Sequence, residues 1–232
     1  MNCLVTAGPS YEPLDQVRRL TNVSTGELGV RLCNNLVEAG HRVVLLLGQM
    51  ATYAEPARAD LLCRFGTSAE LHQLLTRFAA EDRFGAVFHA AAVCDFRPAR
   101  VWHGASLERA QPVQAGKISS EVQPLWVELV ATPKLIGDLR ALFPQAWIVG
   151  WKYEVDGQPA EALGAGWKQI RTYRIDACVV NGPAYGEGFA LLEPGQAVRA
   201  FSDRATLSLA LAQRCSEREK AAQDAGVRSA DL

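Results

Sequence analysis

The sequence predicts an α/β fold of the Rossmann-like, doubly wound class, in which a mostly parallel sheet carries helices on both faces. Its strand-like segments, such as residues 3–7 and 42–47, are continuously apolar rather than alternating, which is typical of strands buried on both faces. Helical patterns separate them, so the predicted order in the first half is β-α-β-β-α-β. With 232 residues, 49% of them hydrophobic, the chain is long enough to bury a large core.

Composition argues against several classes of function. The formal net charge is −1, so no basic excess indicates a nucleic-acid partner. The six cysteines are scattered without a C-x-x-C pair, which argues against a zinc or redox motif and favours reduced, buried thiols in a cytoplasmic protein. No apolar run approaches the roughly 20 residues of a membrane-spanning helix, and the first strand begins without a signal peptide. We therefore expect no membrane partner.

In the first half of the chain, local patterns predict each element. Residues 3–7 form a strand, and Leu28, Leu32 and Leu36 then recur at helical spacing until Gly40, a typical C-terminal cap. The elements predicted next are a strand at 42–47, a strand at 61–65, a helix capped by Ser68 and a strand at 86–92.

The second half begins with a stretch that has no periodicity, from about residue 99 to 122. Such a stretch inside a compact domain is typically a lid, an arm or disorder. The elements predicted after it are a strand at 123–130, a helix beginning at Thr132-Pro133, a strand at 146–150, a helix at 160–173, a strand at 176–180, a C-terminal hairpin of 189–192 with 197–201, and a closing helix capped by Ser202. We expect one domain over residues 1–220, with a flap or arm insertion at about 99–122, and a frayed tail at 221–232.

The loop between the first strand and the first helix is a candidate anion-binding loop. Gly8 and Gly26 would let a phosphate approach the backbone, and Ser24 and Thr25 can cap the helix or donate to the anion. The loop contains neither the G-x-G-x-x-G fingerprint nor the G-K-[ST] of a P-loop. On pattern alone it is either an anion-binding loop or a plain strand–helix connection.

A second candidate site follows the strand predicted at 86–92. The small residues Ala90 and Ala91 leave room there for a flat ring, and Asp95 lies just beyond them. Asp95 could contact a ribose hydroxyl or a metal-bound phosphate, or it could cap a tight turn. His89 lies inside the apolar run, which favours a packed histidine over an acid or base.

Two stretches at these strand ends carry many motif residues. The first comprises Thr6, Ala7, Gly8, Pro9, Ser10, Glu12, Pro13, Leu14, Asp15, Val17, Arg18, Leu20, Thr21, Asn22, Ser24, Thr25, Gly26, Leu28 and Gly29. The second runs unbroken from Ala91 to Pro98. Both resemble motifs of the phosphopantothenoylcysteine synthetase family, the ligase half of a bifunctional coenzyme A biosynthesis flavoprotein. The resemblance covers residues 2–214.

The resemblance implies a ligase that joins 4′-phosphopantothenate to cysteine. CTP or ATP, with Mg²⁺, would activate the carboxylate as an acyl-nucleotidylate and release pyrophosphate, and the cysteine amine would then attack. The partners implied are these small molecules, a second copy in a homodimer and a separate decarboxylase. FMN is not expected, because it belongs to the decarboxylase half.

The resemblance also carries roles over to individual residues. Asn22 and Lys117 would be catalytic, Asn22 by orienting the acyl-nucleotidylate and Lys117 as the leading lysine of a flap that closes on the triphosphate. The nucleotide-binding set would be Gly8, Ser24, Gly26, His89, Ala90, Ala91, Asp95, Lys117, Pro133, Trp151 and Lys168. The substrate-binding set would be Arg18, Asn22 and Asn181. Asp95 is the one candidate for contact with Mg²⁺, through a bound phosphate.

The sequence departs from the family pattern at two places. Ser119 and Ser120 stand where the flap has two further lysines, and Lys152 and Tyr153 stand where the family has two alanines beside the nucleotide. Either Lys152 replaces the missing flap charge or the base pocket is partly filled.

Three functions therefore remain open at the sequence level. The first is an active phosphopantothenate–cysteine ligase. The second is a family paralogue that binds a nucleotide but has lost or altered the chemistry. The third is an NAD(P) enzyme, although the second strand ends in Leu47-Gly48-Gln49, without the acidic residue that holds an adenine ribose.

Overall fold

The computed structural model describes residues 1–113, 115–121 and 124–230, the last helix beyond residue 224 by its backbone alone. The strands in these ranges are β1 (Asn2–Ala7), β2 (Tyr11–Pro13), β3 (Arg19–Thr21), β4 (Arg42–Gly48), β5 (Leu61–Phe65), β6 (Ala86–His89), β7 (Phe96–His103), β8 (Gln111–Pro112), β9 (Leu125–Ala131), β10 (Trp147–Tyr153), β11 (Ala177–Asn181), β12 (Phe189–Leu192) and β13 (Arg199–Phe201). The helices are α1 (Glu27–Glu38), α2 (Ser68–Glu81), α3 (Leu139–Leu142), α4 (Pro159–Tyr173) and α5 (Arg204–Ala230).

Eight strands form the central sheet, in the order β13-β12-β11-β10-β6-β1-β4-β5. The six from β5 to β11 run parallel, whereas β12 and β13 are added antiparallel at one edge. The strand order reverses direction at β1, which lies between β4 and β6. In open sheets of this class, ligands bind beyond the carboxyl ends of the strands at such a point. The fold class is therefore confirmed, and with it the predicted C-terminal hairpin.

Helices cover both faces of this sheet, which explains the continuous apolar runs. Adjacent residues of one strand point to opposite faces, so Val5 packs with α1 and α5 whereas Leu4 packs with α2 and α4. Leu36 and Leu211 contribute to the first core layer, and Leu75 contributes to the second. Because both faces of each central strand are buried in an apolar layer, the strands do not show an alternation of apolar and polar residues.

The first turn of α1 lies directly on the end of β1. A Cβ added at Gly29 would lie 2.3 Å from the Cβ of Ala7, a distance that real carbon atoms do not reach. Glycine at this position therefore sets how closely the helix approaches the sheet.

The stretch without periodicity is part of a separate three-stranded antiparallel sheet, in the order β8-β7-β9. We call the described residues from Phe96 to Ala131 the arm. The predicted strand at 123–130 corresponds to β9, while residues 114, 122 and 123 lie outside the described residues. Much of β7 and β9 is exposed, so no buried face imposes a period-two pattern that could reveal β7 from the sequence.

Several predicted element ends differ from the structure. Thr67, rather than Ser68, caps α2, because its Oγ1 accepts from the Glu70 N–H at 3.1 Å. Asp203, rather than Ser202, caps α5 by accepting from the Thr206 N–H at 2.8 Å. In each pair, Thr67 with Ser68 and Ser202 with Asp203, both side chains are chemically able to cap a helix. The sequence pattern therefore placed each cap one residue away from its observed position.

Two helices also differ from the prediction in length. The helix predicted from Thr132 is a 3₁₀ turn at Leu135–Gly137 followed by the short α3. α5 continues as a helix to Ala230, well into the segment expected to fray. The antiparallel β2–β3 hairpin was not predicted, because strands of three residues carry too little pattern. No helix in the described part of the chain combines the length and apolar character needed to cross a membrane.

We predict opposite effects for two glycine-to-alanine changes in helices. Gly29→Ala should lower the free energy of unfolding by about 1–3 kcal/mol, because the new methyl group collides with Ala7. Gly164→Ala in α4 should raise it by up to about 1 kcal/mol, because nothing lies within 4 Å of the added Cβ and alanine favours helix. Urea unfolding of both variants measures the difference. Equal stability of the two would contradict the close approach of α1 to β1.

Candidate functional site

The loops that follow β1 and β6 are hydrogen-bonded to each other at the carboxyl edge of the sheet. The Ala92 N–H donates to the Gly8 carbonyl at 2.9 Å, and the Ser10 N–H donates to the Ala92 carbonyl at 3.1 Å. The Ser10 hydroxyl, fully buried, accepts from the Cys94 N–H at 2.9 Å. The two candidate loops are therefore parts of one surface.

The glycines of the first loop meet where α1 begins. Gly8 and Gly26 have φ angles of +75° and +81°, a conformation that favours glycine. A Cβ on Gly26 would lie 3.5 Å from the Gly8 Cα, and a Cβ on either residue would press on Ala51. Side chains here would separate the loop from the helix, so both glycines keep the helix N-terminus beside the end of β1.

Gly26 itself is the N-cap of α1, so the expectation that Ser24 or Thr25 occupies that position is wrong. Gly26 has no side chain that could cap the helix, and the Thr25 hydroxyl, one residue earlier, accepts from the Glu27 N–H at 3.3 Å. Ser24 lies half-buried two residues before the cap. A helix N-terminus without a side-chain cap suits an anion, because its amides and dipole attract negative charge.

Asn22 connects the first loop to the second. Its Nδ2 donates to the Val93 carbonyl at 3.0 Å, while most of the residue is exposed. Ala90 and Ala91 are held by Thr6, whose carbonyl accepts from the Ala90 N–H at 3.1 Å and whose hydroxyl accepts from the Ala91 N–H at 3.2 Å. Asn22 and the two alanines therefore border the same edge.

His89 is a buried residue of the sheet, as its apolar surroundings predict. Its Nδ1 lies 3.0 Å from the Thr6 hydroxyl, and the residue is 7% exposed. Burial lowers the pKa of His89 to about 4, so the imidazole is neutral at pH 7. This arrangement suits a role in shaping the loop and not one in supplying protons.

Asp95 and Pro133 lie side by side at the base of the arm. The Thr132 N–H donates to the Asp95 carbonyl at 2.9 Å, and Lys134 forms an ion pair with the Asp95 carboxylate. Both charged side chains are 58% exposed, so water or a ligand can reach them. Lys134 adds a cation that the sequence patterns did not single out.

The remaining nucleotide and substrate candidates lie on β10, β11 and α4. Tyr153 and Asn181 are directly paired across the two strands, and Lys152 forms an ion pair with Glu154 at 2.8 Å. Lys152 is therefore paired with Glu154 at the end of β10, which argues against its replacing the positive charge of the missing flap lysines. Lys168 is exposed on α4, on the opposite sheet face from Trp151.

Trp151 lies in β10, between the hydrophobic core and the carboxyl edge of the sheet. Its side chain packs against the layer formed by α1 and α5, and its indole Nε1 is buried without a hydrogen-bond partner among the described residues. The carbonyl of the same residue accepts from Gln169 Nε2 at 3.2 Å. A buried donor without an acceptor is costly, so a bound ligand that accepted from it would be favoured.

Arg18 is connected to the backbone next to Lys117 by a hydrogen-bond cluster that we call the Asp15 latch: Asp15, Arg18 and Ile118. The Asp15 carboxylate, 1% exposed, accepts from the N–H groups of Val17, Arg18 and Ile118 at 2.8, 2.6 and 3.1 Å. Arg18 Nη1 donates to Asp15 at 2.6 Å and to the Ile118 carbonyl at 3.1 Å. Lys117 is exposed directly before Ile118.

The ionised form of Asp15 is strongly favoured in this cluster. Burial alone would raise the pKa of Asp15, but the three backbone N–H groups and the Arg18 guanidinium outweigh burial and hold it at about 2. Sequence reasoning gave Asp15 no role. The available signal was the Asp-x-Val-Arg pattern, since an aspartate that accepts from the next backbone amides is typical of a turn.

A cavity of about 400 Å³ lies between the β2–β3 hairpin and the arm. Its lining includes Pro13, Leu14 and Trp102 but none of the candidate nucleotide-binding residues. We assign the candidate site to the edge formed by the glycine and alanine loops and not to this cavity, because the motif residues and the start of α1 lie at that edge.

Known proteins share both the sequence and the architecture described above. The family model described as "DNA/pantothenate metabolism flavoprotein C-terminal domain" matches residues 1–214. The coenzyme A biosynthesis bifunctional protein CoaBC of Mycolicibacterium smegmatis is 36% identical over 197 residues, which are 82% of this chain and 44% of that protein. CoaBC of Bacillus subtilis is 33% identical over 187 residues, or 80% of this chain and 41% of that protein. The chain thus spans about two fifths of the length of these relatives.

Solved structures share the fold. The crystal structure of the DNA/pantothenate metabolism flavoprotein from Streptococcus pneumoniae superposes with a TM-score of 0.81 at 23% identity, covering 94% of this chain and 99% of that one. A Cab2 mutant in complex with phosphopantothenate-cysteine gives a TM-score of 0.67 at 16% identity, covering 94% and 88%. The sequence matches and the shared fold agree. The chain belongs to the DNA/pantothenate metabolism flavoprotein C-terminal domain family, the phosphopantothenoylcysteine synthetase family that its opening motif resembles.

Proposed function

We propose that this chain joins 4′-phosphopantothenate to cysteine at the expense of CTP or ATP. The observation that carries the proposal is the convergence of the two motif loops, through Gly8, Gly26 and Asn22, on the N-terminus of α1. Family membership supports the same reaction, because the curated relatives act in coenzyme A biosynthesis and one structural neighbour binds phosphopantothenate-cysteine.

In this proposal the nucleotide lies along the carboxyl edge. Its triphosphate lies against the amides of the Gly8 and Gly26 loops near Ser24, and its base lies beside Ala90 and Ala91 with Trp151 behind them. His89 supports that loop from below, through Thr6. The single exposed carboxylate of Asp95 fits a metal that arrives with the triphosphate, because one carboxylate is too few ligands for a protein-held Mg²⁺. Mg²⁺ would supply neutralisation of phosphate charge.

The first step brings two anions together, which explains the cations around the edge. A carboxylate oxygen of phosphopantothenate bonds to the α-phosphorus while pyrophosphate leaves, and the cysteine amine then bonds to the acyl carbon while the nucleoside monophosphate leaves. Arg18 and Lys117 lower the repulsion between these anions, and Lys168 adds positive charge from α4, on the other face of the sheet. Asn22 orients the acyl-nucleotidylate, and Asn181 holds the substrate.

We assign Asp15 a positioning role in this reaction. Its carboxylate binds Ile118 and Arg18 at once, and the Gln16 N–H donates to the Gly116 carbonyl at 2.9 Å, so the residues on both sides of Lys117 are tied to the loop after β2. The latch therefore fixes where Lys117 can reach. With Ser119 and Ser120 in place of flap lysines, one fixed lysine matters more.

A nucleotide-binding paralogue without ligase activity is the second candidate. Lys152, Tyr153 and the two serines favour it, because they change the charge and shape of the nucleotide side. CTP and ATP carry the same triphosphate, so both nucleotides enter the test.

The ligase proposal predicts distinct effects for two substitutions. Pyrophosphate release from CTP or ATP should require phosphopantothenate, and Lys117→Gln should slow it by about 100-fold through loss of a cation at the triphosphate. Asn22→Asp should still release pyrophosphate but give little phosphopantothenoylcysteine. Coupled pyrophosphate detection and product chromatography measure both, with Lys220→Gln, an exposed lysine on α5, as the control. Saturable nucleotide binding without turnover would instead establish the silent paralogue.

Asp15→Asn should lower turnover by roughly tenfold, the scale of one charge-assisted hydrogen bond, because the amide nitrogen cannot accept from Ile118 and Arg18. In a double-mutant cycle with Lys117→Gln its effect should nearly vanish, since Asp15 acts through Lys117. Asp156→Asn, an exposed aspartate, is the control. Fully additive effects would show that Asp15 does not position Lys117.

We further propose that residues 1–220 form one cytoplasmic synthetase domain that acts as a homodimer and works with a decarboxylase supplied separately or on the same longer chain. The arm supports the dimer, because Phe96, Val127 and Leu129 share one face of β7–β9 and are 52%, 37% and 47% exposed. The described cysteines are free, which is consistent with the cytoplasm.

The dimer proposal predicts that Leu129→Glu shifts the protein from dimer to monomer in sedimentation velocity, because the charge would be buried in the interface. Leu209→Glu on α5, where the leucine is 51% exposed, should leave the dimer intact. A monomeric wild-type protein at micromolar concentration would contradict the proposal.

A further inference from the structure

A cluster of metal-ligand side chains lies at the end of the sheet opposite the candidate site. Cys3 is at the start of β1, His41 precedes β4, and Cys215 and Glu219 lie one turn apart on α5. Both thiols are fully buried and the His41 side chain is 1% exposed. The two sulfurs and the imidazole nitrogen lie within 4.8 Å of one another. The nucleotide chemistry proposed above uses none of these groups.

Hydrogen bonding fixes which imidazole nitrogen faces the cluster. His41 Nε2 lies 2.9 Å from the Ser216 hydroxyl, which itself donates to the Ala212 carbonyl at 3.3 Å. The serine oxygen therefore accepts from Nε2–H, and Nδ1 carries the lone pair, which faces the Met1 amino group. Burial lowers the pKa of His41, which keeps the ring neutral. A neutral imidazole held by a second hydrogen bond is the usual state of a metal ligand.

The acceptors of the cluster converge on a position that already attracts positive charge. His41 Nδ1 lies 3.5 Å from Glu219 Oε2 and 3.1 Å from the Met1 amino group, which also pairs with Glu219. Two facing acceptors repel each other unless a cation lies between them. Glu219 is 31% exposed, which gives an ion a path from solvent.

We propose that Cys3, His41 and Cys215 are three ligands of a tetrahedral Zn²⁺ site, and that Glu219, which lies outside this three-residue cluster beside His41, moves in as the fourth. Two sulfurs bound to one zinc at about 2.3 Å lie about 3.8 Å apart, and a nitrogen and an oxygen bound at about 2.0–2.1 Å lie about 3.3 Å apart. The corresponding separations here are 3.6 Å between the sulfurs and 3.5 Å between Nδ1 and Oε2. Two thiolates with an imidazole and a carboxylate suit zinc better than Mg²⁺ or Ca²⁺.

Binding of Zn²⁺ would replace the positively charged amino group of Met1, and its charges and protons balance. Zn²⁺ displaces the amino group of Met1 from the acceptors, both thiols lose a proton to solvent, and four metal–ligand bonds form without a redox change. The ion would join α5 to the starts of β1 and β4. Local spacing could not reveal this site, since its ligands come from three separate parts of the chain.

Titration of the full-length, reduced protein with Co²⁺ tests the proposal. We expect one equivalent to bind with release of two protons and with the thiolate charge-transfer band and the intense visible bands of tetrahedral cobalt, and Zn²⁺ to displace it without further proton release. Cys215→Ser should abolish the thiolate band, and Ser216→Ala should weaken binding by about 10–100-fold. Cys33→Ser, another buried thiol in the same core layer, should leave binding unchanged.

The wild-type titration decides the outcome even where a variant fails to fold. Absence of stoichiometric thiolate-bound cobalt overturns the site, as does a spectrum that survives in folded Cys215→Ser. A Cys3–Cys215 disulfide that forms in air, with no metal bound by the reduced protein, also overturns it and leaves a redox pair. None of these readouts uses ligase activity, so failure here leaves the proposed function standing, and the reverse also holds.

Discussion

The first turn of α1 rests on the end of β1 with no room for a side chain between them. Gly29 meets Ala7 at this contact, and Gly8 and Gly26 keep the loop on either side equally close. The contact places the positive end of the helix dipole at the carboxyl edge where the strand order reverses. The loops that contain Asn22 and Ala90 lie at this same edge. An anion site built from backbone amides depends on such proximity, because amides cannot extend toward a ligand as side chains can.

A buried carboxylate performs a comparable task on the other side of the site. Asp15 is removed from water, yet backbone amides and Arg18 satisfy it so fully that its ionised form is the stable one. Part of this stabilisation comes from Ile118, on the arm. The hydrogen bond from Ile118 therefore does two things at once. It stabilises the ionised Asp15 carboxylate, and it holds the segment that carries Lys117 against the β2–β3 loop. The ionisation of Asp15 and the local structure of the arm are coupled at this point.

The central sheet was predictable because burial on both faces requires continuous apolar runs, and these are visible at residues 3–7 and 42–47. The C-terminal hairpin was predictable from its turn residues. The arm was not, since β7 and β9 are largely exposed and their pairing depends on backbone hydrogen bonds that any side chain permits. At the candidate site, the motifs selected Asn22 and Asp95, which the structure places at the carboxyl edge, whereas Lys134 and the Asp15–Ile118 contact were not predicted. The latter joins residues 103 positions apart, which no local pattern can encode.

The central position of β1 has a consequence for how the chain is made. β1 is synthesised before both of its neighbours, β4 and β6, which begin at Arg42 and Ala86. It can pair with β4 once residues 42–48 have been made, but its other edge stays open until β6 follows, and parallel pairing across such separations is slow. One edge of the strand that organises the mature sheet is therefore open to misassociation during synthesis, whereas the last hairpin only adds an edge.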